Sequence, residues 1–211
     1  SKTIQRWQCL GCGRSFSQAT FSKAIHQNKR RLNPLVRKLY SSGLSQRRMA
    51  VVLGVTRKTI TRKIQFLGTQ ARQNHQEFLK TINQEELSHL QFDDLLTSHH
   101  TKLKPLSLSV LCSRHSRKIL AVELSQIPAF GHLANISVKK YGRRPSDLNK
   151  SLNQLFGKIN QTLPPIGIID SDEHQLYARP IKKHLPNWLH QQHKSERASV
   201  VGQGELKKEK W

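Results

Sequence analysis

The spacing of apolar residues changes near residue 88, and this change constrains the fold more than any other feature of the chain. Between residues 33 and 68 the apolar positions follow a helical period, as on amphipathic helices. From residue 88 onward they alternate with polar positions, as in half-buried strands. A helical segment followed by a strand-rich segment predicts a multi-domain α+β protein.

The chain is strongly basic. It contains 36 Lys and Arg against 13 Asp and Glu, a formal net charge of +23 that would oppose compact folding unless a polyanion neutralises it. We expect a nucleic acid partner, although a ribosomal protein or a membrane-surface binder would share the charge. No membrane span or signal peptide is visible. Cys9, Cys12 and Cys112 are too few for a disulfide framework, so we expect a cytoplasmic protein with no membrane partner.

A Cys-x-x-Cys-Gly turn lies near the N-terminus, at Cys9 and Cys12. Two thiolates on a tight turn form one half of a zinc ribbon, and a structural zinc ion needs four ligands. Residues 1–22 therefore predict a partial zinc-ribbon knuckle, with Zn²⁺ as a candidate cofactor. We expect the other ligand pair in an N-terminal piece upstream of Ser1, and His26 is a third candidate at unusual spacing. Two free thiols in a turn are the alternative.

Residues 23–68 predict a helix–turn–helix domain. Gly43 ends a first helix, Ser45 caps a second, and Thr56 caps a third. The third helix has an apolar face and an opposite face with the polar and basic side chains of a DNA recognition helix. The residues that we predict to contact DNA are Arg57, Lys58, Thr61, Arg62 and Gln65. The alternative is a small helical bundle with a solvated basic face.

The remainder of the chain predicts a linker helix over residues 69–87 and an α/β domain over residues 88–211. Three strands in series indicate an antiparallel meander, in which Leu106, Leu108, Val110 and Cys112 would face the core and alternate with serines. A basic loop follows at residues 139–144, then a helix, the buried strand 166–172, and another helix. This order of elements is that of the ribonuclease-H-like fold.

Two pairs of acids fall where that fold brings its strands together. The first strand and the strand after the helix lie side by side, so Asp93 or Asp94 would meet Asp170 or Asp172. A third carboxylate is expected from the last helix, for which Glu205 is the first candidate and Glu196 a weaker one. Three carboxylates would hold two Mg²⁺ or Mn²⁺ ions that activate a water or a 3′-hydroxyl. The alternative is that these acids are solvated strand ends or ion-pair partners of Lys and Arg.

These features together resemble the bacterial insertion-sequence transposases of the DDE type. The half zinc knuckle, the helix–turn–helix and three segments carry the resemblance over essentially the whole chain. The segments are Gln91-Phe-Asp-Asp-Leu95, Ser171-Asp-Glu-His-Gln-Leu-Tyr177 and Gly202-Gln-Gly-Glu-Leu-Lys-Lys208. The resemblance favours Asp93 and Asp172, with Glu205, as the catalytic metal ligands. It implies binding of terminal inverted repeats, cleavage and strand transfer of double-stranded DNA by a homo-oligomer, and a place at the bacterial nucleoid.

The chain also departs from this family. The first cysteine pair is absent, and the family's catalytic domain continues beyond this C-terminus, so we expect an incomplete ribonuclease-H-like domain. The alternative function is a catalytically incomplete transposase remnant that acts as a sequence-specific DNA-binding protein or repressor. A basic structural protein would not explain the paired acids.

Overall fold

The computed structural model describes residues 4–194, which form a mixed α+β protein with seven α-helices and two sheets. The mixed class predicted from the sequence is therefore confirmed. Contacts divide the chain into two compact units, Ser1–Gln76 and Glu77–Trp211. The finer subdivision into a knuckle, a helix–turn–helix domain, a linker and a catalytic domain stays a prediction.

The first unit contains a short hairpin and a helical cluster. Its elements are β1 (Trp7–Gln8), β2 (Ser15–Phe16), two 3₁₀ turns (Gln18–Phe21 and Arg30–Leu32), α1 (Asn33–Ser41), α2 (Gln46–Val52) and the start of α3 (Arg57–Thr81). The hydroxyl oxygens of Ser45 and Thr56 accept the backbone N–H groups of Arg48 and Thr59, both at 3.3 Å. The predicted caps are thus confirmed. Val36, Met49 and Ile60 are fully buried and hold the three helices together.

Helix α3 runs through the predicted boundary between recognition helix and linker. Gly68 lies at this boundary and does not interrupt the helix. A helical glycine weakens a helix by about 1 kcal/mol relative to alanine, which the 25 residues of α3 tolerate. A short helix, α4 (Gln84–Leu87), follows it.

The second unit is built on a five-stranded sheet. Its strands are β3 (His89–Ser98), β4 (Pro105–Ser113), β5 (Ile119–Gln126), β6 (Gly167–Asp172) and β7 (Trp188–His193), in the order β5-β4-β3-β6-β7. Strands β3, β4 and β5 form an antiparallel meander, while β6 is parallel to β3 and β7 is parallel to β6. The predicted meander and the predicted pairing of the two acid-bearing strands are confirmed.

Helices α5 (Leu133–Tyr141), α6 (Leu148–Ile159) and α7 (Ala178–His184) complete the second unit. Residues of α6 and α7 pack with Leu90, Phe92 and Ile169 of the sheet into its core. The predicted basic loop at 139–144 is wrong for its first part. Lys139, Lys140 and Tyr141 form the last turn of α5, which ends at Gly142 with a positive φ of 76°.

The predicted face of β4 is wrong. Ser107 and Ser109 lie on the buried face. The residues predicted to face the core lie on the other face and are only partly buried: Leu106, Leu108, Val110 and Cys112. The register explains the difference, because Phe92 pairs with Leu111 and both point into the core. Alternation shows which residues share a face but not which face the helices cover.

Candidate active site

Asp93 and Asp172 lie on neighbouring parallel strands at the same edge of the sheet. Gln91 of β3 pairs with Asp170 of β6. Asp93 lies two residues after Gln91, and Asp172 lies two residues after Asp170. Because residues two apart in a strand share a face, the side chains of Asp93 and Asp172 project to the same side. Both border a cavity of about 390 Å³. The cavity is also lined by Gln91, Phe92, Arg114, Asp170, Ser171, His193 and Lys194.

Neither of these two carboxylates belongs to an ion pair with another residue of the 4–194 segment. Asp93 Oδ1 accepts the backbone N–H of Asp94 at 2.7 Å, and Asp172 Oδ1 accepts that of His174 at 3.2 Å. No Lys or Arg side chain of this part of a very basic chain therefore forms a direct ion pair with either carboxylate. Carboxylate oxygens of this kind are the donors that Mg²⁺ and Mn²⁺ prefer.

Asp170 differs from Asp172, although both come from β6. Its oxygens accept hydrogen bonds from His89 Nε2 and Arg114 at 2.7 Å and from His193 Nε2 at 3.0 Å. Burial alone would raise the pKa of Asp170, but the hydrogen bonds from His193 and His89, with the nearby charge of Arg114, lower it overall. Asp170 is thus an ionised group already saturated with donors, while Asp172 is open to a ligand.

Tyr177 is buried near Asp93, Asp94 and Asp172, and only 1 % of it is exposed. Its ring meets Phe92 edge to face, with 4.8 Å between the centroids. Burial raises the pKa of Tyr177, and the charges of Asp94, Asp172 and Asp93 raise it further. The phenol therefore stays protonated close to three carboxylates. Asp172 and Tyr177 both belong to the segment Ser171–Tyr177 that carries the resemblance, and the structure brings them close enough to interact.

Gly167 lets β6 take its place in the sheet. A Cβ atom at this residue would lie 2.6 Å from the Trp188 ring and 2.7 Å from the carbonyl oxygen of Ser88. Trp188 is itself held by its indole N–H, which donates to the carbonyl of Pro164 at 3.1 Å. The side-chain-free residue at the head of β6 therefore determines how closely the strand that carries Asp172 approaches its neighbours.

No protein-family model and no curated protein matches the chain.

The predicted third acids, Glu205 and Glu196, lie outside the described residues. Within residues 4–194, no group of three or more His, Cys, Asp or Glu side chains is arranged to hold a metal ion. The described part of the site thus supplies two of the three carboxylates predicted.

No helix within residues 4–194 has both the length and the apolar character needed to span a bilayer.

The Cys-x-x-Cys turn closes the β1–β2 hairpin. The N–H of Cys9 donates to the carbonyl of Arg14 at 2.9 Å, and the N–H of Gly13 donates to the carbonyl of Cys9 at 2.8 Å. The backbone N–H groups of Cys12 and Gly11 and the Cys12 thiol lower the pKa of Cys9. Such a turn favours the thiolate form that binds zinc. His26 borders a different cavity, with Lys63, and the zinc site stays a prediction.

The predicted DNA-contacting residues occupy the N-terminal half of α3. Arg57, Lys58, Arg62 and Gln65 are exposed. Thr61 is only partly exposed, and its hydroxyl lies 3.0 Å from Gln46 Oε1. Thr61 therefore joins α3 to α2, which makes it a poorer candidate for contact with a base than the other four.

Sequence reasoning missed two functional features. The first 76 residues contain 16 Lys and Arg and no Asp or Glu, a bias that counting along the chain would have found. The cluster around Asp170 had no such signal. Its members His89, Arg114 and His193 come from distant parts of the chain and meet only through strand pairing.

Proposed function

We propose that the protein is a DNA transposase of the DDE type, which binds terminal inverted repeats and performs Mg²⁺-dependent cleavage and strand transfer. One observation carries the proposal: Asp93 and Asp172 stand unpaired on one face of two adjacent parallel strands, at the rim of one cavity. The strand order β5-β4-β3-β6-β7, an antiparallel meander extended by two parallel strands, supports a ribonuclease-H-like domain.

The donor set fits a hard divalent cation. Asp93 and Asp172 would hold it, with Glu205 as the predicted third ligand. When bound, such ions activate a water or a 3′-hydroxyl and stabilise the leaving oxygen of a phosphodiester. The chain's own contribution includes Arg114, which is held by Asp170 and places a positive charge at the rim of the cavity. A guanidinium there is suited to a phosphate oxygen of the DNA strand.

The first unit supplies the DNA affinity in this proposal. Its exposed residues on α3 combine guanidinium, ammonium and amide groups, which bind phosphates and base edges in the major groove. No carboxylate within residues 1–76 opposes that binding, because the segment contains no Asp or Glu. The long-range attraction to a polyanion is therefore undiminished locally.

The test uses the full chain, Mg²⁺ or Mn²⁺, and DNA carrying the inverted repeats that flank the gene. Asp93→Asn and Asp172→Asn should each abolish cleavage and strand transfer. Both should also weaken Mn²⁺ binding measured by calorimetry, because each removes a charged oxygen ligand. Glu173→Gln is the matched control, since it removes an exposed acid next to Asp172. Cleavage that survives in both Asp variants would exclude this site.

A second function is favoured by the acid-free first unit together with the two-carboxylate site of the described residues. In this alternative the protein is a sequence-specific DNA-binding remnant or repressor. It predicts tight binding to the inverted repeats without metal-dependent cleavage and without Mn²⁺ binding at Asp93 and Asp172. Calorimetry and the cleavage assay on the same preparation separate the two functions.

A further inference from the structure

Lys63 of α3 is a buried ammonium group. The residue is only 2 % exposed, and its Nζ donates to Asn33 Oδ1 at 2.7 Å and to the carbonyl of Asn28 at 3.0 Å. Both acceptors are neutral. A buried lysine normally has a carboxylate partner, since desolvating an unpaired charge is unfavourable.

The surrounding unit has no carboxylate to offer. Residues 1–76 contain neither Asp nor Glu, so a counter-charge from this unit is ruled out by composition. Burial lowers the pKa of Lys63 accordingly. Within this unit, the remaining source of negative charge is a bound anion.

A cavity of about 370 Å³ lies against Lys63 and is lined without a single acid. Its walls are formed by His26, Gln27, Asn28, Lys29, Thr59, Arg62 and Lys63. The side chains of Lys29 and Arg62 are exposed, and neither takes part in an ion pair within residues 4–194. Thr59 belongs to the first turn of α3, where the helix dipole also favours an anion. The cavity thus combines three cationic side chains with a favourable backbone field.

We infer that this cavity binds one phosphate group of the DNA backbone, with Lys29 and Arg62 as direct contacts and Lys63 as the charged wall behind them. The inference rests on the DNA-binding part of the proposed function and is independent of cleavage. Duplex DNA is the favoured source of the phosphate, because Arg62 belongs both to this cavity and to the exposed face of α3. A phosphate held here would anchor that face against the groove.

The experiment measures the affinity of the full chain for a mixed-sequence DNA duplex at several NaCl concentrations. Lys29→Ala is the decisive variant, because Lys29 lies outside α3 and its loss does not alter the recognition face. Log affinity falls as log salt rises, and loss of one phosphate contact makes this negative slope shallower by about 0.9. Lys150→Ala, which removes an exposed charge from α6 in the other unit, should leave the slope unchanged. An unchanged slope in Lys29→Ala overturns the inference.

Two further arms separate the remaining outcomes. Lys63→Met keeps the length of the side chain and should make the salt dependence shallower by the same amount. Thermal unfolding reports whether this variant folds. If Lys63→Met does not fold, the result for Lys29→Ala decides the question. Inorganic phosphate at constant ionic strength should compete with the duplex for the wild type and less for Lys29→Ala. The salt series is repeated with a duplex RNA of the same sequence. Stabilisation by phosphate with an unchanged DNA slope, or a slope change seen only with the RNA duplex, would overturn the assignment to DNA. Absence of any DNA binding by the wild type would instead remove the DNA-binding function itself.

Discussion

Arg114 and His89 donate to the same oxygen of Asp170, each at 2.7 Å, and so give the two acids of β6 different roles. Asp170 and Asp172 are two residues apart and share a face of the strand, yet one is saturated with donors and the other is not. The saturated carboxylate holds the cationic side chain of Arg114 at the edge of the cavity. The open carboxylate is the one that the proposed metal ion would bind.

Asp170→Asn should destabilise the protein at neutral pH by about 1–3 kcal/mol, because charged hydrogen bonds from Arg114 and two histidines are lost. The folded-state pKa of Asp170 is lowered, so its stabilisation is present above the ordinary Asp pKa of about 3.9 and is lost as pH falls through the folded value. Urea unfolding at a series of pH values from neutral into the acidic range measures this. The difference between variant and wild type should vanish at the acidic end, and a constant difference would contradict the assignment.

Ser109→Ala should stabilise the second unit by about 1 kcal/mol. Ser109 is fully buried on the covered face of β4, and its hydroxyl has no hydrogen-bond partner in the described part of the chain. Ser125→Ala is the matched control with the opposite sign, because the Ser125 hydroxyl donates to the carbonyl of Ser107 at 3.3 Å. Denaturant midpoints of the two variants should move in opposite directions.

Gly167→Ala should destabilise the protein by about 1–3 kcal/mol, since the added methyl overlaps the Trp188 ring and the Ser88 carbonyl. Gly68→Ala provides the comparison. It lies within α3 with open space around it and should stabilise the helix by about 0.5–1 kcal/mol. Thermal unfolding of both variants and of the wild type checks the pair. If Gly167→Ala had the melting temperature of the wild type, β6 would be able to shift and accommodate the added methyl group.

Cys9 should react faster with iodoacetamide than Cys112 near neutral pH. Backbone N–H groups of Cys12 and Gly11 lower the pKa of Cys9, whereas burial raises the pKa of Cys112 and the charge of Arg117 offsets this only in part. The thiolate is the reactive form, so Cys9 carries more of it. Mass spectrometry of the alkylated peptides measures the ratio, and unfolding in urea should bring the two rates together.

The helix caps of the first unit and the strand segments of the second were predictable because both follow from local signals. Ser45 and Thr56 cap helices through their own side chains, and alternation identifies strands wherever one face is buried. The covered face of β4 was not predictable, because it depends on the pairing of Phe92 with Leu111.

Some residues of the candidate site were likewise predictable from the sequence, and others were not. The two acidic pairs were predicted because each stands in a short acidic motif within a strand, and the resemblance to the DDE transposases favoured Asp93 and Asp172 within them. The partners of Asp170 were not, since Arg114 follows β4 and His193 ends β7. Whether an acid is open or saturated depends on such distant neighbours, and the residue pattern without the resemblance left both Asp170 and Asp172 as candidates.

Gly167 bears on which metal ion the proposed site would select. Mg²⁺ requires oxygen ligands near 2.0–2.1 Å in an almost regular octahedron, whereas Ca²⁺ accepts distances of about 2.3–2.6 Å and irregular shells. The strand that carries Asp172 is seated by the absence of a single methyl group at Gly167. At the proposed metal site, a displaced β6 would penalise the smaller ion more than the larger one, so this glycine would influence ion selectivity from a position that contacts no ligand.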